Sequence, residues 1–377
     1  MARMAADRRQ AVGLPGETFG RDVLTCDRAG GVAVPSVLRS PGPESCMSTA
    51  LLFLLSAGAI YAACEYFVNS VEWLGRKLRL DATATGTVLA AFGTALPESA
   101  VTFVAVIFGK TPQARDVGVG AALGGPLVLA TIGYAVVGAA LWMARRRLRR
   151  DDRLVRVEHR RLAGDQQWFL LIFLAKCALG LVAFAFKPWL GVLFLAAYAL
   201  YAWREIRRDG TGSDDDPLAP LKFQPHAADP ELARVLLQAV LALLVTAAAS
   251  RLFVAQIEAI GAAWHMPPHR VALLLSPVAT ELPEMVNALI WVRQGKERLA
   301  LANISGAMMI QATIPSALGL FATPWRFDAS LVAAGVATAA TVAYLGWLFR
   351  RGRVDARWLV PAVLPYGAFA AFLAWHG

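Results

Sequence analysis

The sequence predicts an all-α membrane protein with ten transmembrane helices, arranged as two five-helix repeats of inverted topology. The first observation is composition: the 377 residues are 57% hydrophobic and only 17% charged, with a mean hydropathy of +0.51. That balance is too apolar for a soluble domain of this length. The second observation is the recurrence of apolar segments long enough to cross a bilayer, and the third is a polar motif that occurs twice.

Ten segments approach the length of about 20 apolar residues that a spanning helix needs. They are separated by short connections that carry most of the charge. The predicted spans are approximately 48–74, 82–108, 117–143, 166–186, 188–203, 231–257, 269–292, 299–322, 328–349 and 358–375.

The distribution of arginine and lysine predicts the orientation of these spans, because basic residues are retained in cytoplasmic loops. Nine arginines lie between Arg145 and Arg161, and further basic clusters follow the first, fifth, seventh and ninth spans. The opposite connections carry few basic residues. We therefore expect an inner-membrane protein with its N-terminus outside. A formal charge of +10 could suggest nucleic-acid binding, but basic residues confined to short loops between spans argue against that partner.

The chain divides at changes in composition. Residues 1–46 are rich in Gly, Pro, Arg and Ser without hydrophobic period, so we predict a disordered tail. Met47 directly precedes the first apolar run, and we hypothesise that it, rather than Met1, is the true start. We assign 47–203 to the first repeat, 204–230 to a cytoplasmic linker and 231–377 to the second repeat.

The repeated motif lies in the middle of two predicted spans. It reads Gly93-Thr94-Ala95-Leu96-Pro97-Glu98 in the first half and Ala279-Thr280-Glu281-Leu282-Pro283-Glu284 in the second. A carboxylate at this depth costs about 2.5–3.5 kcal/mol to insert, so such a residue is usually functional. The proline before it removes a backbone donor and frees a carbonyl one turn earlier. Carboxylate, hydroxyl and freed carbonyl oxygens together predict a cation site.

The similarity of the two halves extends beyond this motif. With an offset of 186 residues, Phe67-Val68 matches Phe253-Val254, Glu72 matches Glu258 and Gly109-Lys110 matches Gly295-Lys296. Because the first half has an odd number of spans, the second half enters the membrane from the opposite side. Binding sites of such inverted repeats lie near the midplane, where broken helices of both halves meet.

These residues resemble the alpha-repeats of the cation/calcium antiporter superfamily, which includes the sodium/calcium exchangers. The family hallmark is Gly-Thr-Ser-Leu-Pro-Glu followed by Gly-Asn-x-x-Gly-Ser-Asn. The resemblance covers nearly all of 48–375 in span count, order and repeat spacing. It implies that spans two, three, seven and eight form the ion-binding core, and that the first and sixth spans slide against it.

The resemblance also implies a set of ligands. The motif glutamates carry over to Glu98 and Glu284 as the metal ligands, and the motif threonines to Thr94 and Thr280. The chain departs from the family where serine is replaced by Ala95 and Glu281. It departs again in the following spans, where Gly125 and Ala307 replace serine and where Leu129 and Gln311 occupy the position of an Asn or Asp ligand. We therefore add Glu281 and Gln311 to the candidate cation-binding residues. Glu281 is one helical turn from Glu284, and the two could share a proton.

The resemblance implies a secondary antiporter that moves Ca²⁺, or a related cation, against Na⁺ or H⁺ by alternating access. The alternative is a degenerate member that binds ions as a sensor or scaffold without transporting them. No ATP-binding signature and no catalytic Ser/His, Cys/His or His-Glu-x-x-His arrangement occurs in the spans, so neither a pump nor an enzyme is expected. The expected partners are the lipid bilayer and inorganic cations, with no cofactor. Oligomeric state is not predicted.

Overall fold

The computed structural model describes residues 43–77, 95–144, 153–208, 218–293 and 295–376. The predicted tail lies almost entirely outside these ranges, as do Thr94 and the first half of the second predicted span. Within the described residues the chain is helical, with one isolated β-bridge between Leu154 and Asp355.

The described helices follow one another with short connections. In the first half they are α1 (Pro43–Lys77), α2 (Leu96–Ile107), α3 (Pro112–Val128), a π-helical turn (Leu129–Gly133), α4 (Tyr134–Ala144), α5 (His159–Leu181), a 3₁₀ turn (Lys187–Leu190) and α6 (Gly191–Arg208). In the second half they are α7 (Leu232–Ala263), α8 (Pro268–Thr280), α9 (Leu282–Arg293), α10 (Glu297–Ala322), α11 (Ala329–Arg350), a 3₁₀ turn (Ala356–Val363) and α12 (Leu364–His376).

Six of the described helical segments are long and apolar enough to cross a membrane. They are Met47–Leu74, Pro112–Ala144, Leu232–Ala263, Ala300–Ala322, Ala329–Arg350 and Ala356–Trp375. The remaining predicted spans coincide with segments that are interrupted, short or more polar, such as α8 and α9, which are 13 and 12 residues long. The structure therefore supports an all-helical membrane protein, and the count of ten spans stays a prediction.

The core is centred on α10, which packs against α2, α3, α5, α6 and α9. In its apolar window 83% of the residues are buried inside the protein, compared with 22% in α7. The helices α1 and α7 pack along each other at the periphery, where Phe53 and Phe253 stack with ring centroids 4.8 Å apart. The two helices expected to slide are thus a largely exposed pair beside a buried core.

Prolines interrupt the helices that enter this core. Pro277 lies inside α8, Pro126 inside α3 and Pro315 inside α10. Each lacks the backbone N–H that would bond to the carbonyl four residues earlier. Such free carbonyls are tolerated at membrane depth where they are buried in protein or line a cavity.

The helices α3 and α8 approach closely because α3 presents glycines to α8. A Cβ atom at Gly124 would lie 2.7 Å from Cγ of Pro277 and 3.0 Å from the carbonyl oxygen of Leu273. Small residues at such contacts let helix backbones pack in lipid. Gly124 therefore fixes the spacing between the third span and the broken seventh span.

We predict that Gly124→Ala destabilises the protein by about 1–3 kcal/mol, because the added methyl group overpacks the contact with α8. Thermal unfolding of the purified protein in detergent measures this effect. Gly58→Ala on α1 is the matched control, since no atom lies within 4 Å of its added Cβ. That control should be neutral or slightly stabilising. Equal melting temperatures for both variants would contradict the close α3–α8 contact.

Candidate cation-binding site

The second motif forms a break between two helices. Thr280 is the last residue of α8, Glu281 caps its end, and α9 begins at Leu282. The amide of Glu281 bonds to the carbonyl of Pro277 at 2.9 Å, and the amide of Met285 bonds to the carbonyl of Glu281 at 3.1 Å. Backbone hydrogen bonds therefore continue on both sides of the break.

Glu98 and Glu284 occupy equivalent positions, each in the first turn of a helix after a proline. Glu98 lies at the start of α2 and Glu284 at the start of α9. Helix N-termini carry partial positive charge, which favours a nearby carboxylate by about 0.3–1 kcal/mol. The side chains are 1% and 0% exposed. The motif thus places two carboxyl groups inside the protein at helix N-termini.

A chain of hydrogen-bonding side chains joins the two halves. Oγ1 of Thr280 donates to Oε2 of Glu98 at 2.7 Å, and it also lies 3.3 Å from Oε1 of Glu281. Nε2 of Gln311 donates to that same Oε1 atom at 2.8 Å. The structure therefore brings together four predicted site residues, from α2, from the α8–α9 break and from α10.

Several oxygens in this cluster have no hydrogen-bond partner among the described residues. They are Oε1 of Glu98, Oε2 of Glu281, both carboxyl oxygens of Glu284 and Oε1 of Gln311. Burying an uncompensated carboxylate costs several kcal/mol. None of the three glutamates takes part in a described ion pair with Lys or Arg. These oxygens therefore need a bound proton or a bound cation to offset the cost of burying their charge.

Glu284 is less closely connected than the other three. It lies one turn beyond Glu281 and interacts electrostatically with Glu281 and Glu98, but no described hydrogen bond joins it to the cluster. Within the described ranges, no group of three or more His, Cys, Asp or Glu residues has the spacing of a closed metal site. A cation bound here would need hydroxyl, amide and backbone oxygens as well.

Gly125 stands where the family pattern has serine, and its surroundings show what occupies the space of the missing side chain. A Cβ atom at this position would lie 2.9 Å from Oε1 of Gln311 and 3.1 Å from Oε1 of Glu281. The lost serine hydroxyl is thus replaced by space, and the longer side chains from α10 and from the α8–α9 break fill it. Gln311 and Glu281 were predicted as compensating candidates, and they do contact each other.

Lys176 in α5 is a buried charge that the sequence analysis did not identify. Its side chain is 0% exposed, and Nζ donates to the carbonyl of Ala122 at 2.9 Å. Two signals were available in the sequence: a lysine in the middle of the fourth predicted span, and Pro126 four residues after Ala122.

An all-helical membrane fold with buried acidic side chains at helix breaks is typical of ion-transport proteins. The family described as sodium/calcium exchanger protein matches residues 48–206 and 234–375. This chain belongs to the sodium/calcium exchanger protein family. Members of this family are ion exchangers rather than enzymes.

Two curated proteins are similar over most of the chain. CaxA of Alkalimonas amylolytica is 27% identical over 317 residues, covering 81% of this chain and 92% of CaxA. The inner membrane protein YrbG of Escherichia coli K12 is 26% identical over 292 residues, covering 75% of this chain and 82% of YrbG.

Two solved structures share the fold. The H⁺/Ca²⁺ exchanger CAX superposes with a TM-score of 0.64 at 16% identity, covering 86% of this chain and 82% of CAX. The sodium-calcium exchanger NCX_Mj superposes with a TM-score of 0.54 at 17% identity, covering 86% and 98%. At these identities the similarity establishes the exchanger fold.

With Ca²⁺ as the probe ion for this candidate site, we predict that Thr280→Val weakens Ca²⁺ binding by about tenfold. The substitution removes one oxygen and leaves Oε2 of Glu98 without its donor, a loss of about 1–3 kcal/mol. The measurement is the Ca²⁺ concentration that gives half-maximal thermal stabilisation. Thr338→Val is the control, because the buried hydroxyl of Thr338 bonds within its own helix α11, to the carbonyl of Ala334 at 2.8 Å. An unchanged Ca²⁺ dependence in Thr280→Val would contradict the site.

Proposed function

We propose that this protein is a secondary active antiporter that exchanges Ca²⁺, or a related divalent cation, for Na⁺ or H⁺ by alternating access. The supporting observation is the buried cluster of Glu98, Thr280, Glu281 and Gln311, which links the two halves and leaves several oxygens without partners. Opposing halves that share one site can expose it to each side in turn.

The donor set favours a hard cation. Ca²⁺ takes six to eight oxygen ligands at distances of 2.3–2.6 Å. Glu98 and Glu284 would act as the principal metal ligands. Thr280, Glu281 and Gln311 would supply further oxygens, and Thr94 occupies the symmetric position in the first motif. Nitrogen and sulfur ligands, which transition metals prefer, are absent from this group of residues.

The carboxyl groups of the cluster also bear on whether the counter-ion is Na⁺ or H⁺. Sodium competes with calcium for oxygen ligands, whereas protons bind when carboxylates lie too close together to ionise at once. Glu281 adds a third carboxyl to the cluster, one turn from Glu284. The similar structures include both an H⁺/Ca²⁺ exchanger and a sodium-calcium exchanger. We favour proton coupling on account of Glu281.

The proposed architecture has ten spans in two inverted repeats, with the N-terminus outside and the protein in the inner membrane. Equivalent helix starts at α2 and α9 and the pairing of α1 with α7 support the repeat. The name of the similar protein YrbG supports the inner membrane. In this arrangement α1 and α7 slide along the core and open the site alternately to each side.

We predict that Glu98→Gln and Glu284→Gln each reduce transport at least about 100-fold, because each removes a charged ligand from the proposed site. Purified protein is reconstituted into vesicles with a pH or Na⁺ gradient, and uptake of Ca²⁺, Mn²⁺ or Mg²⁺ is measured. Glu231→Gln, at an exposed position before α7, is the control and should transport normally.

The outcomes of this assay separate the hypotheses. Gradient-driven uptake by the wild-type protein supports the antiporter. Binding of Ca²⁺ without uptake above empty vesicles would support a sensor or scaffold instead. Full transport by both glutamine variants would contradict the assignment of Glu98 and Glu284.

We further predict that the loops on the two sides differ in accessibility to an impermeant maleimide. In a cysteine-free background, Lys110→Cys between α2 and α3 should be labelled from outside intact cells. Arg353→Cys, between α11 and the following 3₁₀ turn, should be labelled only after permeabilisation. Both positions are exposed. The opposite pattern would reverse the orientation that the basic loops predict.

A further inference from the structure

The amine of Lys176 is held inside the helical core. The residue lies in the second half of α5, its Nζ atom donates to the carbonyl of Ala122 at 2.9 Å, and it lies 4.9 Å from the ring centroid of Phe173. Its own backbone carbonyl accepts a bond from Nε1 of Trp325 at 3.1 Å. Burying an ammonium group costs several kcal/mol unless negative groups compensate for it.

Pro126 explains why Ala122 offers its carbonyl. In a regular helix this oxygen would accept a bond from the amide of residue 126, but proline has no N–H. Pro126 lies inside α3, so the carbonyl of Ala122 has no helix amide to accept from at this position. A free helix carbonyl is the kind of oxygen that coordinates Na⁺ or Ca²⁺ in discontinuous helices. In this protein the ammonium group of Lys176 donates a hydrogen bond to that carbonyl oxygen.

The occupied carbonyl is adjacent to the acidic cluster. Gly125 lies three residues after Ala122, about 4.5 Å along the helix axis. The position of a Cβ atom at Gly125 is 3.1 Å from Oε1 of Glu281 and 2.9 Å from Oε1 of Gln311. Lys176 also interacts electrostatically with Glu98. Its positive charge therefore acts on Glu98, one of the two principal ligands of the proposed site.

We propose that the ammonium group of Lys176 is a tethered cation that fills one cation position beside the carboxyl cluster. It stands where a site built from more oxygens could hold a mobile cation, and it weakens the binding of exchangeable cations by repulsion. This inference rests on the proposed function, since it concerns the ions that the site binds.

A purely structural lysine makes a different prediction. If Lys176 only satisfied the carbonyl of Ala122, an uncharged donor would serve equally well and cation affinity would not change. A tethered cation acts through its charge, so neutral variants should bind Ca²⁺ more tightly. The sign of the change separates the two roles, because damage to packing would weaken binding.

The test measures equilibrium binding of Ca²⁺ to the purified full-length protein in detergent, at one fixed pH and ionic strength. Lys176→Gln removes the charge and keeps an N–H donor, and Lys176→Met keeps the length of the chain. Both should lower the half-saturating Ca²⁺ concentration about tenfold, as expected for loss of a unit charge at moderate effective dielectric constant. Lys176→Arg, which keeps the charge, should not tighten binding.

Lys187 provides a matched control. It is also buried, and its Nζ atom donates to the carbonyls of Val182, Pro324 and Trp325, away from the acidic cluster. Lys187→Gln should leave Ca²⁺ affinity unchanged. Equal tightening in both glutamine variants would overturn the inference.

The two levels of the hypothesis fail in different ways. If the wild-type protein binds Ca²⁺ but Lys176→Gln and Lys176→Met bind with equal or lower affinity, the tethered-cation role is wrong and the antiporter proposal stands. If the wild-type protein neither binds nor transports any tested cation, the proposed function fails, and the role of Lys176 fails with it. Size-exclusion chromatography of each variant checks that it remains folded.

Discussion

Buried acidic oxygens without partners are the constraint on which the rest of this structure depends. Glu98, Glu281 and Glu284 are almost completely excluded from solvent, and each has at least one carboxyl oxygen without a partner among the described residues. Such groups are stable only with protons, a bound cation or nearby positive charge. In the proposed function, protons and the transported cation occupy these carboxyl groups in turn, because binding of one displaces the other.

The helix breaks and small residues bring these groups together. Prolines within or just after the start of the core helices remove backbone bonds, and glycines on α3 admit α8 and the side chains near it. The hydroxyl of Thr280 then connects Glu98 in one half to Glu281 in the other. Peripheral α1 and α7 pack beside this core and are largely exposed on their outer faces. A buried core beside a largely exposed helix pair is compatible with the proposed sliding of α1 and α7 along that core.

Much of this organisation could be predicted from the sequence. Repetition of the motif made Glu98, Glu284, Thr94 and Thr280 candidates, and departures from the family pattern drew attention to Glu281 and Gln311. The helical class could be predicted from hydropathy. Among the described residues six segments meet the length criterion, and breaks at the motif and polar residues in α5 interrupt other apolar runs. Lys176 was missed because its role depends on a contact between α5 and α3, 54 residues apart, that periodicity along one helix does not reveal.

Diffraction from crystals soaked in Sr²⁺ or Mn²⁺ tests the central claim most directly, since anomalous scattering locates the ion without reference to transport. The account predicts a single strong peak within the protein, with oxygens of both Glu98 and Glu284 in its coordination sphere and Thr280 beside it. A peak coordinated by neither glutamate, or the absence of any bound ion in the core at saturating concentrations, would contradict it.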